Sequence, residues 1–206
     1  LAALRQQDIH TVPSRFIEPE QHAEDGLRVF LEQFAHAELV VKPAVGAGSK
    51  DAQRYGRDEW DAMLMHIKRL QLKNRSVLLQ PYLNRVDEAG ETALMYFNGR
   101  FSHAIRKGPL LRRNVGPTDQ LFAPEQIMAR VPSNDELALA ESVVAALPGI
   151  FELDGPLLYA RIDLLRGDAG EPCLLELELT EPSLFFAYAD GAAERFVDAL
   201  KDRLSL

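Results

Sequence analysis

The chain has 206 residues, 47% of them hydrophobic and 26% charged, which is the composition of an ordinary globular protein with one sizeable domain or two small lobes. Its formal net charge of −8 argues against nucleic-acid binding as the main function. A single cysteine, Cys173, cannot form an internal disulfide, and no apolar run approaches the ~20 residues of a membrane-spanning helix, so we expect a cytoplasmic protein with no membrane partner.

The first half of the chain predicts alternating helices and strands. The opening LAALRQQ is typical of the end of a helix that begins upstream, so we expect the sequence to be a fragment. A helix is predicted over 24–37, and AELVVKP (Ala37–Pro43) and SVLLQPYL (Ser76–Leu83) are typical of strands. Between these strands lie the loop AVGAGSKDAQRYG and the helical segment EWDAMLMHIKRLQLK, which has apolar residues at helical spacing.

Two hairpins are predicted in the second half. ETALMYFNGRFSHAIRKG reads as two strands joined by Asn98 and Gly99, the preferred two-residue turn. PLLYARIDLLRGDAGEPCLLELEL reads as a second hairpin, with GDAG as its turn. Residues 108–123 carry Gly, Pro and Arg without periodicity and predict a surface loop. The mixture of helices with antiparallel hairpins favours the α+β class.

Two helices are predicted around the second hairpin. Ser133 and Glu136 have the spacing of a capping box, which opens a helix to about Leu147. The last helix is predicted over residues 191–204, and the apolar residues that we expect to dock it on the sheet are Phe196, Val197, Leu200 and Leu204.

The second hairpin brings carboxylates together. With GDAG as the turn, a register can be drawn that places Asp163 opposite Glu176 and Arg161 opposite Glu178, all on one face. Like charges at opposed positions destabilise a sheet, unless a cation such as Mg²⁺ joins them. The alternative is that the glutamates form the solvent-exposed face of an antiparallel sheet, and a register slip of one residue would separate the carboxylates.

Two groups of residues could bind phosphate. VVKPAVGAGSK offers Lys42 and Lys50 as cations and a glycine pair whose backbone amides can approach a ligand, although a hairpin connection is the commoner meaning of such glycines. A second, basic cluster consists of Arg106, Lys107, Arg112 and Arg113, and it would attract an anionic ligand. The alternative is that these residues lie in a solvated loop and bind no ligand.

The order of these motifs resembles that of the ATP-grasp superfamily. VVKP with its glycine-rich loop, VLLQPYL, GETALMYFNGRFSHAIRKGP, ARIDLL and LLELELTEPSLFF follow one another as in that superfamily, over nearly the whole chain. RimK-type ligases are the most similar members, and FSHAIRKGP and ELELTEPSLFF are particularly similar to segments of the cyclo-ligases of cycloserine biosynthesis. The resemblance implies two α+β lobes whose antiparallel sheets clamp ATP.

The resemblance also implies roles for individual residues. Lys42 would contact the α- and β-phosphates of ATP, and a mobile flap containing Gly46, Gly48 and Ser49 would cover the phosphates. The adenine edge would meet Gln80, Tyr82 and Leu83, and Leu175 would pack under the adenine. Glu91 would bind the ribose hydroxyls. The implied metal ligands are Asp163, Glu176 and Glu178, although many relatives have Asn in place of Glu178. Arg161, Arg106 and Lys107 would balance charge around the transferred phosphate and the acyl intermediate.

The domain organisation expected from the resemblance has three parts. Residues 1–36 would lead from an amino-terminal domain that is missing here, 37–83 would form the small lobe with its flap, and 84–206 the large lobe with the metal site. Another ATP-contacting lysine of the superfamily would lie upstream of Leu1, so a fragment of this kind would bind nucleotide less well.

The implied activity is ATP-dependent ligation of a carboxylate to an amine through an acylphosphate, within one amino-acid-like substrate or between two. ATP and Mg²⁺, or Mn²⁺, would be the cofactors, and a homodimer is a family-level expectation. The alternatives are an ATP-grasp phosphotransferase and a non-catalytic nucleotide-binding module. Hydrolysis is disfavoured, because Ser102 and His103 are neighbours in a strand and should face opposite ways, and Cys173 has no activating partner.

Overall fold

The structure, a computed structural model, describes residues 1–46, 48–111, 113 and 126–204. Most of the predicted surface loop over 108–123, including Arg112, lies outside the described residues. The strands are β1 (Arg15–Ile17), β2 (Glu38–Pro43), β3 (Gln53–Gly56), β4 (Val77–Pro81), β5 (Glu91–Phe97), β6 (Arg100–Lys107), β7 (Ile127–Arg130), β8 (Tyr159–Arg166) and β9 (Pro172–Glu178). The helices are α1 (Ala2–Arg5), α2 (Ala23–Gln33), α3 (Trp60–Gln71), α4 (Val86–Ala89), α5 (Asn134–Phe151) and α6 (Ala192–Leu204).

These elements form two compact units, each with its own antiparallel sheet. The five-stranded unit contains Leu1–Val12, Leu83–Gly108 and the described residues from Gln126 onward. The four-stranded unit contains the described residues of Pro13–Tyr82, together with 109–111 and Arg113. The α+β class expected from the sequence is confirmed. The predicted domain boundaries after residues 36 and 83 stay predictions.

The four-stranded unit has the strand order β1-β4-β2-β3, with α2 and α3 packed on the sheet. Gly26 allows α2 to lie close to β1, because a Cβ atom there would come 2.6 Å from Cδ1 of Ile17. The prediction of a continuous loop after Pro43 was wrong in its last part, since Gln53–Gly56 form β3 and pair with β2. The glycine-rich segment therefore does connect a hairpin.

The five-stranded unit has the order β7-β6-β5-β8-β9, and both predicted hairpins are confirmed within it. Asn98 and Gly99 join β5 to β6 with φ angles of 44° and 74°, as a tight turn of this kind requires. Gly170, with φ of 93°, lies in the turn between β8 and β9. Each sharp reversal is thus encoded by residues that tolerate positive φ.

The two faces of the five-stranded sheet differ. Side chains such as Leu94, Ile162 and Leu164 face α5 in the main core of this unit. The opposite face carries Ala93 and Met95, in an apolar cluster with residues of α6. One end of that second face carries charged residues in place of apolar ones, and the predicted metal ligands lie at this end.

The capping box that opens α5 is confirmed. The backbone amide and hydroxyl of Ser133 lie 2.9 and 2.8 Å from Oε2 of Glu136, whose Oε1 accepts a hydrogen bond of 2.7 Å from Thr92 on β5. Glu136 is buried, so its carboxylate both begins the helix and fastens it to the sheet. The helix continues to Phe151, past the predicted end at Leu147.

The prediction for the last helix was right about Phe196 and wrong about the other three residues of its docked face. Ala192, Phe196 and Ala199 are the residues of α6 that lie against the sheet and its neighbouring segment. Val197, Leu200 and Leu204, which we expected to dock, keep 45%, 37% and 58% of their surface exposed. Small side chains let the helix approach the sheet closely, and this rotates the larger aliphatic residues outward.

No helix in the described part of the chain is both long enough and apolar enough to cross a lipid bilayer.

A buried histidine and tyrosine lie in the core of the four-stranded unit. The hydroxyl of Tyr55 on β3 and Nδ1 of His66 on α3 share a hydrogen bond of 2.9 Å, and both residues are less than 5% exposed. Burial, together with the nearby Arg69, lowers the pKa of His66 from 6.5 to about 4. Burial also raises the pKa of Tyr55 to about 12. The pair therefore stays neutral over the physiological range.

We predict that His66 makes the protein less stable as the pH falls from 6.5 to 4. In that interval the unfolded chain takes up a proton that the folded chain excludes, so up to about 3 kcal/mol of unfolding free energy is lost. The His66→Gln variant should show a correspondingly shallower pH dependence in urea unfolding. His22→Gln, at an exposed position, is the control; equal pH dependence of the His66→Gln variant and the wild-type protein would contradict this prediction.

Candidate active site

The register of the second hairpin is the one expected from the sequence. Asp163 on β8 pairs with Glu176 on β9, and Arg161 pairs with Glu178. A bulge follows this pairing, because Leu164 is opposite Leu174, and Leu175 is the extra residue. The four charged side chains therefore share one face, as predicted.

The neighbouring hairpin extends this charged face. Glu91 at the start of β5 pairs with Lys107 at the end of β6, and β5 also pairs with β8. The Lys107 ammonium forms ion pairs with both Glu91 and Asp163, the second at 2.8 Å. The four adjacent strands β6, β5, β8 and β9 thus bring polar residues to a single cluster.

Asp163 lies at the centre of the cluster and has no solvent-exposed surface. Arg161 donates from Nε to Oδ1 and from Nη2 to Oδ2, both at 2.9 Å, and Lys107 donates to Oδ2. Burial alone would raise the pKa of Asp163, but Lys107 and Arg161 outweigh it and lower this pKa to about 2. The aspartate is therefore ionised, and its two cationic partners are fixed by it.

Two glutamates of the cluster, Glu91 and Glu178, have pKa values shifted in the opposite direction. Burial raises the pKa of Glu91 to about 7, which its contact with Lys107 only partly opposes. Burial also raises the pKa of Glu178, although Arg161 forms an ion pair with it. Glu91, Asp163 and Glu178 share the two cations Lys107 and Arg161, and the mutual repulsion of the carboxylates favours either a proton or a further cation.

The cluster fits a metal ion. One carboxylate oxygen each from Asp163, Glu176 and Glu178 can be chosen so that all three lie within 4.8 Å of one another. Oxygen ligands in excess of the available positive charge suit a hard divalent cation such as Mg²⁺. The geometry and the charge therefore agree with the ligand set predicted from the resemblance.

Arg106 is not brought to the cluster. Its guanidinium donates to the backbone carbonyls of Ala89 and Glu88, at 2.8 and 2.9 Å, at the end of α4. Arg106 precedes Lys107 on β6, and successive side chains of a strand point to opposite faces. Arg106 and Lys107, the first two members of the predicted basic cluster, therefore lie on opposite faces of the sheet.

The predicted phosphate-binding residues lie in the four-stranded unit. Lys42 is half-buried on β2 opposite Leu78, and Gly46, Gly48 and Ser49 follow in the connection to β3. Gly48 and Ser49 have φ angles of 60° and 58°, which give this connection its sharp bend. The flap assignment stays a prediction.

The base of this connection is anchored by charge. Asp51, buried at its end, forms ion pairs with Arg69 at 3.5 Å and Arg75 at 3.3 Å. Arg75 also donates to the carbonyl of Val45 at 2.5 Å. The two ends of the connection are therefore held by the same arginine.

The predicted adenine-binding residues fall in both units. Gln80 is buried and donates to Ser14, and the backbone amide of Tyr82 donates to the carbonyl of Glu38, each at 2.9 Å, within the four-stranded unit. Leu83 and Leu175 belong to the five-stranded unit, where they share a small apolar cluster with buried Cys173. Burial raises the pKa of that thiol to about 12, which agrees with its expected lack of reactivity.

The expectation for Ser102 and His103 was wrong. Their side chains lie together, with Oγ of Ser102 2.9 Å from Nδ1 of His103, because a bulge in the β5–β6 pairing leaves Ser102 without an opposite residue. Nε2 of His103 lies 2.9 Å from the carbonyl oxygen of Leu184, and Arg195 donates to Oγ of Ser102 at 3.0 Å. Both ring nitrogens are thus engaged, and His103 fastens the segment after β9 to the sheet.

Comparison with known proteins supports the family suggested by the motifs. The chain is 39% identical over 207 residues to the cycloserine biosynthesis protein DcsG of Streptomyces lavendulae, a match covering 99% of this chain and 68% of DcsG. The crystal structure of D-cycloserine synthetase DcsG superposes with a TM-score of 0.93 over the same shares. The ATP-grasp ligase PsnB, complexed with a minimal precursor, Mg and ADP, gives a TM-score of 0.63 at 17% identity, over 97% of this chain and 55% of PsnB.

The chain belongs to the ATP-grasp ligase family. D-alanine–D-alanine ligase from Bacillus anthracis, complexed with ATP, shares the fold of this ATP-grasp protein, with a TM-score of 0.62 at 19% identity, over 98% of this chain and 62% of that ligase. No family model matches the sequence. The fold, the likeness to a protein of cycloserine biosynthesis and the enzyme class of ATP-dependent ligase, all implied by the resemblance, are confirmed.

We predict that Asp163→Asn destabilises the five-stranded unit by about 3 kcal/mol or more, because it leaves Lys107 and Arg161 buried without their shared anion. Glu176→Gln keeps both cations paired and should cost no more than about 1 kcal/mol. Denaturant unfolding of the two variants measures the difference. Equal unfolding midpoints would show that Asp163 does not organise the cluster.

Proposed function

We propose that this ATP-grasp protein joins a carboxylate to an amine, forming an amide through an acylphosphate intermediate. The observation that carries the proposal is the cluster in which Asp163, Glu176 and Glu178 converge within 4.8 Å, with Arg161 and Lys107 bound to its central carboxylate. The ATP-dependent ligase class comes from the family. The roles of individual residues are part of the proposal.

Asp163, Glu176 and Glu178 would hold Mg²⁺, with Mn²⁺ as an alternative metal. When bound, such an ion neutralises phosphate oxygens and helps to align them for transfer. Lys42 would contact the α- and β-phosphates, and the segment with Gly46, Gly48 and Ser49 would cover the phosphates through backbone amides. Glu91 would bind the ribose hydroxyls with the carboxylate oxygen that does not contact Lys107.

The adenine would lie against apolar and backbone groups. Leu175 and Leu83 already share one apolar cluster, which supports a role for both at the base. Gln80 and Tyr82 would add contacts from the end of β4. Backbone groups at a strand end can distinguish adenine by its hydrogen-bonding edge without a charged side chain.

The reaction needs two displacements. A carboxylate oxygen of the substrate attacks the γ-phosphorus of ATP, which gives an acylphosphate and ADP. The amine nitrogen then attacks the acyl carbon, the carbon–oxygen bond to phosphate breaks, and the amine loses a proton, which leaves an amide and inorganic phosphate. Positioning and charge neutralisation provide most of the catalysis in phosphoryl transfer, so no nucleophilic side chain is required.

Arg161 and Lys107 would stabilise the charge that develops during phosphoryl transfer. Both are buried, and their contacts with Asp163 fix their orientation before a substrate binds. Arg106 does not enter the proposal, because its guanidinium donates to the carbonyls of Glu88 and Ala89 on the other face of the sheet.

We propose an amino-acid-like substrate, with ring closure within one molecule as the favoured reaction. The basis is the 39% identity to a protein named for cycloserine synthesis, since cycloserine is a cyclic amino-acid derivative. Ligation of two molecules in a RimK-like manner is the other form of the same chemistry. A cytoplasmic site of action, without nucleic-acid or membrane partners, remains an expectation from the sequence.

We predict that Mg²⁺-dependent binding of ATP to the protein, measured by isothermal titration calorimetry, is lost in the Glu176→Gln variant. The substitution removes one of three ligand charges while keeping the size of the side chain. Glu171→Gln, in the exposed turn of the same hairpin, is the matched control and should bind as the wild-type protein does. Undiminished Mg²⁺-dependent binding in Glu176→Gln would contradict the metal assignment.

We predict that turnover with amino-acid-like substrates yields ADP and inorganic phosphate in equal amounts, together with an amide. Chromatography coupled to mass spectrometry identifies the products, and ¹⁸O in the substrate carboxylate should appear in the released phosphate. A stable phosphorylated substrate with no free phosphate would instead indicate a phosphotransferase.

A further inference from the structure

The segment that follows β9 spans two strands of the five-stranded sheet. On the face that carries the metal ligands, His103 of β6, Met95 of β5 and Arg161 of β8 occupy consecutive positions across the sheet. The strands of His103 and Arg161 are separated by two strand spacings, a distance of about 10 Å. Leu184 and Phe185 of the segment pack in one apolar cluster with Met95. The segment therefore lies between His103 and Arg161, and it contacts both.

His103 holds this segment through one backbone oxygen. Its Nε2 lies 2.9 Å from the carbonyl oxygen of Leu184, and its Nδ1 lies 2.9 Å from Oγ of Ser102. Because a carbonyl oxygen only accepts, the ring carries its proton on Nε2, and the hydroxyl of Ser102 donates to Nδ1. Arg195 donates to the same hydroxyl oxygen at 3.0 Å, so the hydroxyl hydrogen points to the ring. Burial lowers the pKa of His103, which keeps this ring neutral at physiological pH.

The residues on either side of Leu184 contact Arg161. Nη1 of Arg161 donates to the carbonyl oxygen of Ser183 at 3.4 Å, and the guanidinium carbon lies 5.7 Å from the ring centroid of Phe185. Nε and Nη2 of the same guanidinium donate to Asp163. The carboxylate and the segment thus hold different nitrogens of one guanidinium.

The backbone of the segment adopts a conformation that needs support. Glu181 and Phe185 have φ angles of 48° and 50°, in the left-handed region that non-glycine residues adopt at an energetic cost. Such residues persist where the surrounding contacts impose the conformation. Here those contacts include the one between Leu184 and His103 and those of its two neighbours with Arg161. Loss of the bond to His103 would therefore let the segment relax away from the guanidinium.

We propose that His103 is a positioning residue for Arg161. By fixing the carbonyl of Leu184, it places the carbonyl of Ser183 and the ring of Phe185 against the guanidinium. The catalytic consequence rests on the proposed function, in which Arg161 balances charge during phosphoryl transfer. The position of the guanidinium does not depend on that function, and it can be measured without substrate.

Nuclear magnetic resonance of the full chain labelled with ¹⁵N-arginine reports on the Nε–H of Arg161, whose signal is identified by its absence from Arg161→Lys. His103→Asn keeps an acceptor for the hydroxyl of Ser102 but does not reach Leu184. It should shift this signal and speed its hydrogen exchange about tenfold, the effect of one lost hydrogen bond. His103→Gln extends an amide nitrogen to the place of Nε2 and should restore exchange to within about threefold of the wild-type rate.

Ile105→Val is the control for packing. Ile105 lies on the same strand and face as His103 and belongs to the same buried apolar cluster, but it carries no polar group for Leu184. The substitution should lower the thermal unfolding midpoint and leave the exchange of the Arg161 Nε–H within about threefold of the wild-type rate. Equal acceleration in Ile105→Val and His103→Asn would overturn the proposal, because general loosening of the cluster would then explain both.

The wild-type protein gives a test that needs no substitution. Long-range ¹H–¹⁵N spectra of the His103 ring should show a protonated Nε2 and an unprotonated Nδ1. The opposite tautomer cannot donate to the carbonyl of Leu184, and its observation would overturn the proposal. An Arg161 signal that His103→Asn leaves unchanged, in a folded protein, would overturn it as well.

Turnover separates this proposal from the proposed function. With ATP, Mg²⁺ and a mixture of L- and D-amino acids, His103→Asn should lower kcat for ADP release about tenfold, keep KM for ATP within about twofold, and be rescued by His103→Gln. An unchanged kcat in His103→Asn, with the Arg161 signal displaced, would overturn the catalytic consequence. A wild-type protein that releases no ADP, while Arg161 responds as predicted, contradicts the proposed function and supports the positioning role.

Discussion

A carboxylate that is excluded from water must be paired, and Asp163 is such a carboxylate at the centre of the five-stranded unit. The desolvation free energy of a buried ion is large, and here hydrogen bonds from Arg161 on the same strand and from Lys107 on β6 offset it. Those contacts fix two cations in one place, and Glu91, Glu176 and Glu178 collect around them. The charged end of the sheet is built around this one group.

The fold provides this cluster by the register of two hairpins. Asn98–Gly99 sets β5 against β6, and the Gly167–Gly170 turn sets β8 against β9, so that the polar residues of four strands coincide on one face. The other face packs mainly against α5. A slip of one residue in either hairpin would exchange the two faces, so the hydrophobic core and the charged cluster specify the same register.

Local signals predicted much of this arrangement, while long-range packing decided the rest. The tight turns, the capping box at Ser133 and the Asp163–Glu176 pairing follow from short motifs and strand periodicity. The bulge at Ser102 and the burial of Lys107 do not, because both depend on neighbouring strands. Strand alternation could have separated Arg106 from Lys107. The docked face of α6 was predicted correctly only at Phe196, because the other residues that contact the sheet are the alanines Ala192 and Ala199.

The central claim is that this cluster binds the metal ion that accompanies ATP. Paramagnetic broadening by Mn²⁺, added with ATP to isotope-labelled protein, tests it most directly by nuclear magnetic resonance. We predict selective loss of the amide signals on β8 and β9 around Asp163 and Glu176, reversal by excess Mg²⁺, and no such effect in the Glu176→Gln variant. Broadening that leaves these strands unaffected, or that persists unchanged in that variant, would contradict the account.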